Sequence, residues 1–366
     1  MGTDNNNKRV LGFDVIRGIL ILAIAIAHSL EIGAMTSELG KTLYYLSYTF
    51  HVPAIVFLSG YFLKRERITV RWVVENTIYY LGLFFLAKLM YYGMYLLVDG
   101  ALPPWTISSV WGEMAVPWYM LSIAEWYIII FVLKTGKPIV VGLLSVAVAL
   151  IAGYFSLIGG MFSLSRTLVF FPFFFLAYAL PKEKLFALLL SQSTARRLMA
   201  SAGLVTLMVL VGVWIQHRPQ MYGMTINLLY GNCDYKTALA ASFTTYSPGV
   251  SVDCCAAFRG TSMLFSSVCI FLLLIVLAGI QRHLWIWNWL ARIGQNSLSV
   301  YIVHFPILLF LWRRVIPNRM SGLVNCVTAY ALGIVVTILL AWCPLKAALS
   351  EWRRLCSRIA NVNIRK

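Results

Sequence analysis

The stretch that decides the fold is residues 9–30, which read Arg-Val-Leu-Gly-Phe-Asp-Val-Ile-Arg-Gly-Ile-Leu-Ile-Leu-Ala-Ile-Ala-Ile-Ala-His-Ser-Leu. This apolar segment is long enough to span a bilayer, yet it carries Asp14, Arg17 and His28. On a helix, Arg17 and His28 lie within roughly 20° of each other and about 16 Å apart in height, and Asp14 lies one turn before Arg17. Because a charge in hydrocarbon costs at least about 2.5 kcal/mol, this helix face should border a protein interior or a water-filled cavity.

The composition indicates that the rest of the chain is also membrane-embedded. Hydrophobic residues make up 60% of the 366 residues and charged residues only 12%, which excludes an ordinary soluble domain. A net charge of +17 would suggest nucleic acid as the partner of a soluble protein. Here the basic residues fall in short loops between apolar segments, so we expect the lipid bilayer, and no nucleic acid, as the partner.

Ten apolar segments have about the length that a bilayer requires. They cover residues 12–34, 41–63, 72–97, 118–133, 138–157, 165–181, 196–216, 260–281, 293–315 and 321–345. The sequence therefore predicts an all-α, polytopic membrane helix bundle with about ten transmembrane helices. We expect a single transmembrane domain over residues 1–350, followed by a basic cytoplasmic tail over residues 351–366.

The distribution of lysine and arginine predicts the orientation. Loops that alternate from the N-terminus carry twenty of the 30 basic residues, and the opposite loops carry eight. The positive-inside rule then places both termini in the cytoplasm of a multi-pass protein of the inner cell membrane. A cluster of Arg313, Arg314 and Arg319 on the predicted outside runs against this topology.

Two loops on the predicted outer side are long, 98–117 and 217–259. In the second, Cys233 either forms a disulfide with Cys254 or Cys255, or all three are unpaired thiols. The sequence has no nucleotide-binding glycine loop, no HExxH and no CxxC, and adjacent cysteines have the wrong spacing for a zinc knuckle. We therefore predict no metal site and no permanently bound cofactor.

The second predicted span contains His51, Pro53 and the Ser59-Gly60 pair. Since the first span rises outward and the second descends, His51 should lie at a depth similar to that of His28. The two imidazoles then share one cavity, unless His51 is a hydrogen-bonded core histidine. Pro53 predicts a kink, and Ser59-Gly60 predicts close helix packing.

Later spans add polar groups at membrane depth, among them Glu125 in the fourth span. In the ninth, Ser297, Tyr301 and His304 are spaced four and three residues apart, so they fall on one helix face. His304 lies just before Pro306. It either satisfies a carbonyl that this proline frees or contributes to the cavity.

The order and spacing of several short motifs resemble the acyltransferase-3 family of integral membrane acyltransferases, and in particular its sugar O-acetylases. The motifs are residues 13–18 with His28, then residues 50–53, 57–61, 118–119, 171–173 and 294–304. The resemblance covers about residues 8–345. It implies transfer of an acyl group, usually acetyl, from cytoplasmic acyl-coenzyme A as co-substrate to a hydroxyl of a surface or exported glycan or glycolipid.

The resemblance also implies that His28, in the Arg-x10-His pattern, is the essential catalytic residue. Many relatives carry a soluble hydrolase-like domain after the membrane part, which we expect this chain to lack. It then acylates its acceptor directly or passes the acyl group to a partner. The long outer loops, one of them rich in tryptophan, are expected to form the acceptor vestibule because aromatic faces suit sugar rings.

The chemistry of the residues agrees with this function, because a histidine suits base catalysis at neutral pH. We assign His28 as the general base, with Arg17 and Asp14 placing the donor or holding the cavity; a pair that only stabilises the helix is the alternative. Arginines after the second span should meet coenzyme A phosphates. The further candidate substrate- and donor-binding residues are His51, Arg65, Arg67, Arg71, Trp118, Tyr119, Glu125, Asn296, Ser297, Tyr301 and His304.

A secondary transporter or export subunit for an envelope glycan or small molecule is the alternative function, because it would also keep ionisable residues at mid-membrane. Against it, no pair of helices broken by glycine or proline recurs in corresponding halves of the sequence. A scaffold subunit would leave the three polar residues of the first span unexplained.

Overall fold

The computed structural model describes residues 11–102, 104, 106–112, 116–241, 251–280, 284–316 and 321–364. It is 84% helical, and the described residues contain no β-strand, which confirms the all-α fold class. The helices in chain order are α1 (Leu11–Gly33), α2 (Glu38–Tyr48), α3 (His51–Tyr61), α4 (Val70–Asp99), α5 (Ile107–Trp111), α6 (Trp118–Leu133), α7 (Pro138–Ile151), α8 (Leu164–Ala179), α9 (Lys182–Leu190), α10 (Thr194–His217), α11 (Tyr222–Tyr230), α12 (Tyr235–Ala240), α13 (Val252–Leu277), α14 (Trp285–Gln295), α15 (Ser297–Phe310), α16 (Gly322–Trp342) and α17 (Leu345–Ile364).

Six helices in the described residues are long and apolar enough to cross a membrane, or seven if the pair α8 and α9, bent by 82°, counts as one span. The six are α1, α4, α10, α13, α16 and α15 with its π-helical extension to Val315. The other predicted spans correspond to the broken pair α2 and α3, to the bent pair and to the shorter helices α6 and α7. About ten spans and cytoplasmic termini therefore stay predictions.

Helix α1 is the most buried of the six long apolar helices, because 56% of its most apolar 18-residue stretch is buried inside the protein. It approaches α14 closely at two glycines. A Cβ atom at Gly18 would lie 2.0 Å from the Leu290 carbonyl oxygen, and one at Gly294 would lie 2.0 Å from the Asp14 carbonyl oxygen. Small residues at a helix crossing let the backbones touch, so the α1–α14 contact orients the face that carries Arg17 and His28.

The second predicted span is broken between α2 and α3, at Thr49 and Phe50. Pro53 has no N–H to donate to the Thr49 carbonyl one turn earlier. That carbonyl instead accepts a hydrogen bond from Ser266 Oγ of α13, at 2.6 Å. The predicted kink is thus a full break, because the freed carbonyl finds a partner on another helix.

Close packing at the Ser59-Gly60 pair is confirmed. A Cβ atom at Gly60 would lie 2.1 Å from the Phe174 carbonyl oxygen, so α3 and α8 touch backbone to backbone there. Only glycine leaves room for this approach, and it brings α8 beside α3.

Residues 351–364, which the sequence sets apart as a tail, belong to α17. This helix lies against α4: Trp352 Nε1 donates to the Tyr79 carbonyl oxygen at 3.2 Å, and the Arg353 guanidinium lies 3.7 Å from the Tyr79 ring centroid. The segment is therefore a helix attached to the bundle.

The seven cysteines all lie in the described residues, and none of them forms a disulfide. Cys255 is buried and its thiol faces the Tyr235 carbonyl, whereas Cys254 is exposed at the start of α13. Of the two alternatives for loop 217–259, the structure does not have the disulfide between Cys233 and Cys254 or Cys255.

Candidate active site

Two cavities lie one after the other along α1. The first, with a volume of about 340 Å³, contains Arg17 and is called the Arg17 cavity. The second, of about 280 Å³, contains His28 and is called the His28 cavity. The structure thus places both side chains on cavities, as their helical spacing predicts.

The two cavities meet at three side chains that line both of them, Ile55, Tyr119 and Tyr301. The Tyr119 hydroxyl is hydrogen-bonded to Ser59 Oγ at 2.6 Å, and the Tyr301 hydroxyl donates to the Val116 carbonyl oxygen. The Arg17 cavity and the His28 cavity are therefore neighbours that share part of their walls.

The His28 imidazole is paired with a carboxylate on its own helix. Its Nδ1 lies 2.8 Å from Oε2 of Glu31, and the Tyr230 hydroxyl donates to Oε1 of the same carboxylate at 3.4 Å. An ionised carboxylate can only accept hydrogen bonds, so this contact favours the imidazole tautomer in which Nδ1 is the donor and Nε2 has the lone pair. Burial and the Glu31 carboxylate raise the pKa of Tyr230 well above its usual range, so this phenol stays protonated.

Glu31 is not among the predicted site residues, although the sequence contains a local signal for it: Glu31 follows His28 by three residues, so the two share a helix face. Arg166 is not among the predicted site residues either. Arg166 lines the His28 cavity, with its guanidinium 4.8 Å from the Trp118 ring centroid and 5.8 Å from that of Tyr230. Aromatic faces attract such a cation, and both rings help to hold it.

His51 lines the His28 cavity, where its Nδ1 donates to the Ser47 carbonyl and its ring lies 4.6 Å from that of Tyr48. The shared cavity that the sequence predicts for the two imidazoles is therefore present. His51 is also hydrogen-bonded in the core, so both alternatives for this residue describe part of its environment.

His304 is fully buried and lines neither cavity, but its ring centroid lies 5.4 Å from that of His28. Its Nδ1 faces the Val300 and Tyr301 carbonyls at 3.0 and 2.9 Å. Pro306 frees the carbonyl four residues earlier, at Ile302. His304 therefore does not serve that carbonyl, contrary to one of the two alternatives.

Asp14 is buried and outside both cavities. Its carboxylate lies 3.9 Å from Arg17 Nη1 and accepts a hydrogen bond from Gln295 Nε2 at 3.1 Å. Asp14 thus joins α1 to the end of α14. The Arg17 guanidinium lies 4.9 Å from the Phe62 ring centroid and faces the cavity.

The basic segment after α3 contributes Lys64 to the Arg17 cavity. Arg65 turns away, with its guanidinium 5.0 Å from the Tyr178 ring centroid and a hydrogen bond to the Ala179 carbonyl. Arg71 is exposed and lines neither cavity, and the side chain of Arg67 lies outside the described residues.

The other candidate residues divide into two groups. Trp118, Tyr119, Ser297 and Tyr301 line the cavities. Glu125 and Asn296 do not. Glu125 accepts a hydrogen bond from Thr167 at 2.6 Å, and Asn296 donates to the Arg292 carbonyl at 2.9 Å.

The loop 217–259, which the sequence predicts to lie outside, supplies Leu229, Tyr230 and Asn232 to the His28 cavity. The described part of loop 98–117 supplies no lining residue to it; positions 103, 105, 113–115 and 242–250 lie outside the described residues. Within the described ranges, no group of three His, Cys, Asp or Glu residues could hold a metal ion.

Comparison with known proteins gives one match. A family model described as an acyltransferase domain matches residues 10–346, which is most of the chain. No curated protein and no solved structure matches it.

Proposed function

Since the chain belongs to the acyltransferase-3 family of integral membrane acyltransferases, we propose that it transfers an acetyl group from cytoplasmic acetyl-coenzyme A to a hydroxyl of a surface or exported glycan. One observation carries the proposal: the His28–Glu31 pair borders a cavity that shares the lining side chains Tyr119 and Tyr301 with a neighbouring cavity, and that neighbour is lined by Arg17 and Lys64. A base and a phosphate-compatible site are the two parts that this reaction requires.

The Arg17 cavity suits the donor. Among the described residues that line it, Arg17 and Lys64 are the charged ones, and both attract phosphate. An extended pantetheine arm would run from there along α1, where Arg17 and His28 are about 16 Å apart in height. The thioester would then lie in the His28 cavity. Because α1 is predicted to begin in the cytoplasm, the Arg17 cavity would be on the side from which a cytoplasmic donor arrives.

The His28 cavity supplies the groups for the chemistry. Nε2 of His28 takes the proton of the acceptor hydroxyl as its oxygen attacks the thioester carbonyl carbon. The carbonyl oxygen becomes negative, and the Arg166 guanidinium is placed to stabilise it. When the C–S bond breaks, the thiolate receives the proton from His28, so the products are an ester and coenzyme A. Glu31 stabilises the transient imidazolium.

A transferase, unlike the alternative transporter or export subunit, should hydrolyse acetyl-coenzyme A slowly when water replaces the acceptor. We expect radiolabelled acetate to be released by the purified protein, and His28→Ala to lose about 100- to 10,000-fold in rate, as removal of a positioned base does. His217→Ala is the matched control, since that histidine is exposed at the end of α10. Equal release by the His28→Ala variant and the wild type would contradict the proposal.

A further inference from the structure

A third cavity, of about 650 Å³, lies at the C-terminal end of α1. It is called the Arg313 cavity. Polar groups from different parts of the fold line it: Glu31 and Thr36 at the end of α1, Tyr95 of α4, Arg313 after α15, and Asn325 of α16. It lies at the opposite end of α1 from the Arg17 cavity.

Two side chains connect the Arg313 cavity to His28. Glu31 lines this cavity as well as the His28 cavity. Phe305 lines it too, and its ring packs edge-on against the His28 imidazole with the centroids 5.1 Å apart. A molecule in the Arg313 cavity is therefore one side chain away from the proposed base.

The geometry points to an acceptor site: resting on the acyl transfer proposed above, we infer that the Arg313 cavity binds the acceptor as a polyhydroxylated molecule, such as a sugar ring of a glycan. Hydroxyls donate and accept hydrogen bonds, and this wall offers a carboxylate, a guanidinium, an amide and two hydroxyls. Trp312 and Tyr95 add aromatic faces, on which sugar rings can pack. The volume lies within the range of about 300–1,000 Å³ that small-molecule sites have.

The charges of this cavity disfavour the donor. Arg313 Nη1 is bound to Asp99 Oδ1 at 2.7 Å, and Glu31 adds a further negative charge. A nucleotide with several phosphates would meet the Glu31 carboxylate here and an arginine that Asp99 already neutralises, whereas the described lining residues of the Arg17 cavity include two cations and no acid. The Arg17 cavity therefore suits the donor, and the Arg313 cavity suits the acceptor.

Filling the Arg313 cavity tests the inference. Asn325→Phe and Thr36→Trp each place a large ring at a residue that lines the cavity, and Val327→Phe places a phenyl ring on the same helix as Asn325 at a residue that is 62% exposed and is not among the lining residues. The assay follows radiolabelled acetyl from acetyl-coenzyme A into the envelope polysaccharide fraction of the source cells. We expect both filled variants to raise the acceptor KM at least about ten-fold, with the KM for acetyl-coenzyme A unchanged and the Val327→Phe variant like the wild type.

The other outcomes separate this inference from the proposed function. An unchanged acceptor KM in both filled variants would overturn the acceptor site and leave the transferase intact. An equal rise in the KM of the donor would also overturn it, because the substitutions would then act by disturbing the structure around His28 and not by blocking the acceptor. Hydrolysis by the wild type without transfer to the polysaccharide would refute the acceptor class. A wild type that neither hydrolyses acetyl-coenzyme A nor transfers acetyl would refute the proposed function itself.

Discussion

The Glu31 carboxylate gives His28 two properties that a lone imidazole in an apolar cavity would lack. The 2.8 Å contact with Nδ1 favours the tautomer whose Nε2 has the lone pair, and in the proposed mechanism the carboxylate faces the imidazolium that forms during transfer. Tyr230 and the peptide backbone of α1 hold the carboxylate in this position. Glu31 is thus a positioning residue, and its effect should appear in the turnover rate.

Glu31→Gln should lower kcat by more than about 100-fold, by analogy with the loss of the carboxylate in serine-protease triads. The amide is neutral and does not favour the imidazolium. Glu31→Asp should restore part of the rate, and the pH at which kcat is half-maximal should differ between Glu31→Gln and the wild type. Steady-state kinetics over pH would measure both effects.

Glu38→Gln is the control for this prediction, because Glu38 is exposed at the start of α2 and is paired only with Lys41 among the described contacts. A Glu31→Gln variant with wild-type kcat and pH profile would show that His28 needs no carboxylate.

At the scale of helices, the break between α2 and α3 depends on a contact with a third helix. Pro53 frees the Thr49 carbonyl, and Ser266 Oγ of α13 binds it at 2.6 Å. The break starts α3 at His51, whose side chain then lines the His28 cavity. A hydrogen bond between two residues that are 217 positions apart in the sequence therefore helps to form this wall of the His28 cavity.

Ser266→Ala should destabilise the protein by about 1–3 kcal/mol, because it leaves the buried Thr49 carbonyl without its partner. Ser267→Ala is the matched control, since the hydrogen bond that the described residues give Ser267 Oγ goes to the Met263 carbonyl of its own helix. Thermal unfolding in detergent, followed by size-exclusion, should show a lower Tm for Ser266→Ala than for Ser267→Ala. Equal Tm values would mean that the Thr49 carbonyl is satisfied in another way.

At the scale of the whole molecule, the three cavities follow one another along α1 from Arg17 through His28 to the turn at Thr36. Glu31 belongs to the second and third, and Tyr119 and Tyr301 to the first and second. This arrangement supports a donor that enters from one side of the membrane and an acceptor that enters from the other.

Access from two sides can be measured with a membrane-impermeant thiol reagent. In a background without the exposed Cys254 and Cys343, Thr36→Cys should react with reagent outside the cell, and Lys64→Cys only with reagent inside, because the positive-inside rule places the start of α1 in the cytoplasm. Coenzyme A should protect Lys64→Cys. Labelling of both variants from the same side would contradict the predicted orientation.

The membrane class, the family and the face shared by Arg17 and His28 follow from the sequence by itself. Each depends on local properties: composition, segment length, motif spacing and a helical period of 3.6 residues. The Glu31 contact was also within reach, since it joins residues one helical turn apart. Ten apolar segments could be found in the same way, but local hydropathy does not distinguish a continuous span from a broken or bent one.

Only the tertiary structure decided which distant residues complete the site. Asp14 meets Gln295 across 281 positions, Ser59 meets Tyr119 across 60, and Arg166 reaches the His28 cavity from α8. Likewise, Lys64 and not Arg65 lines the Arg17 cavity, because Arg65 is held against Tyr178. Such pairings depend on the order in which helices pack and on which buried polar groups find partners, and local periodicity carries no information about either.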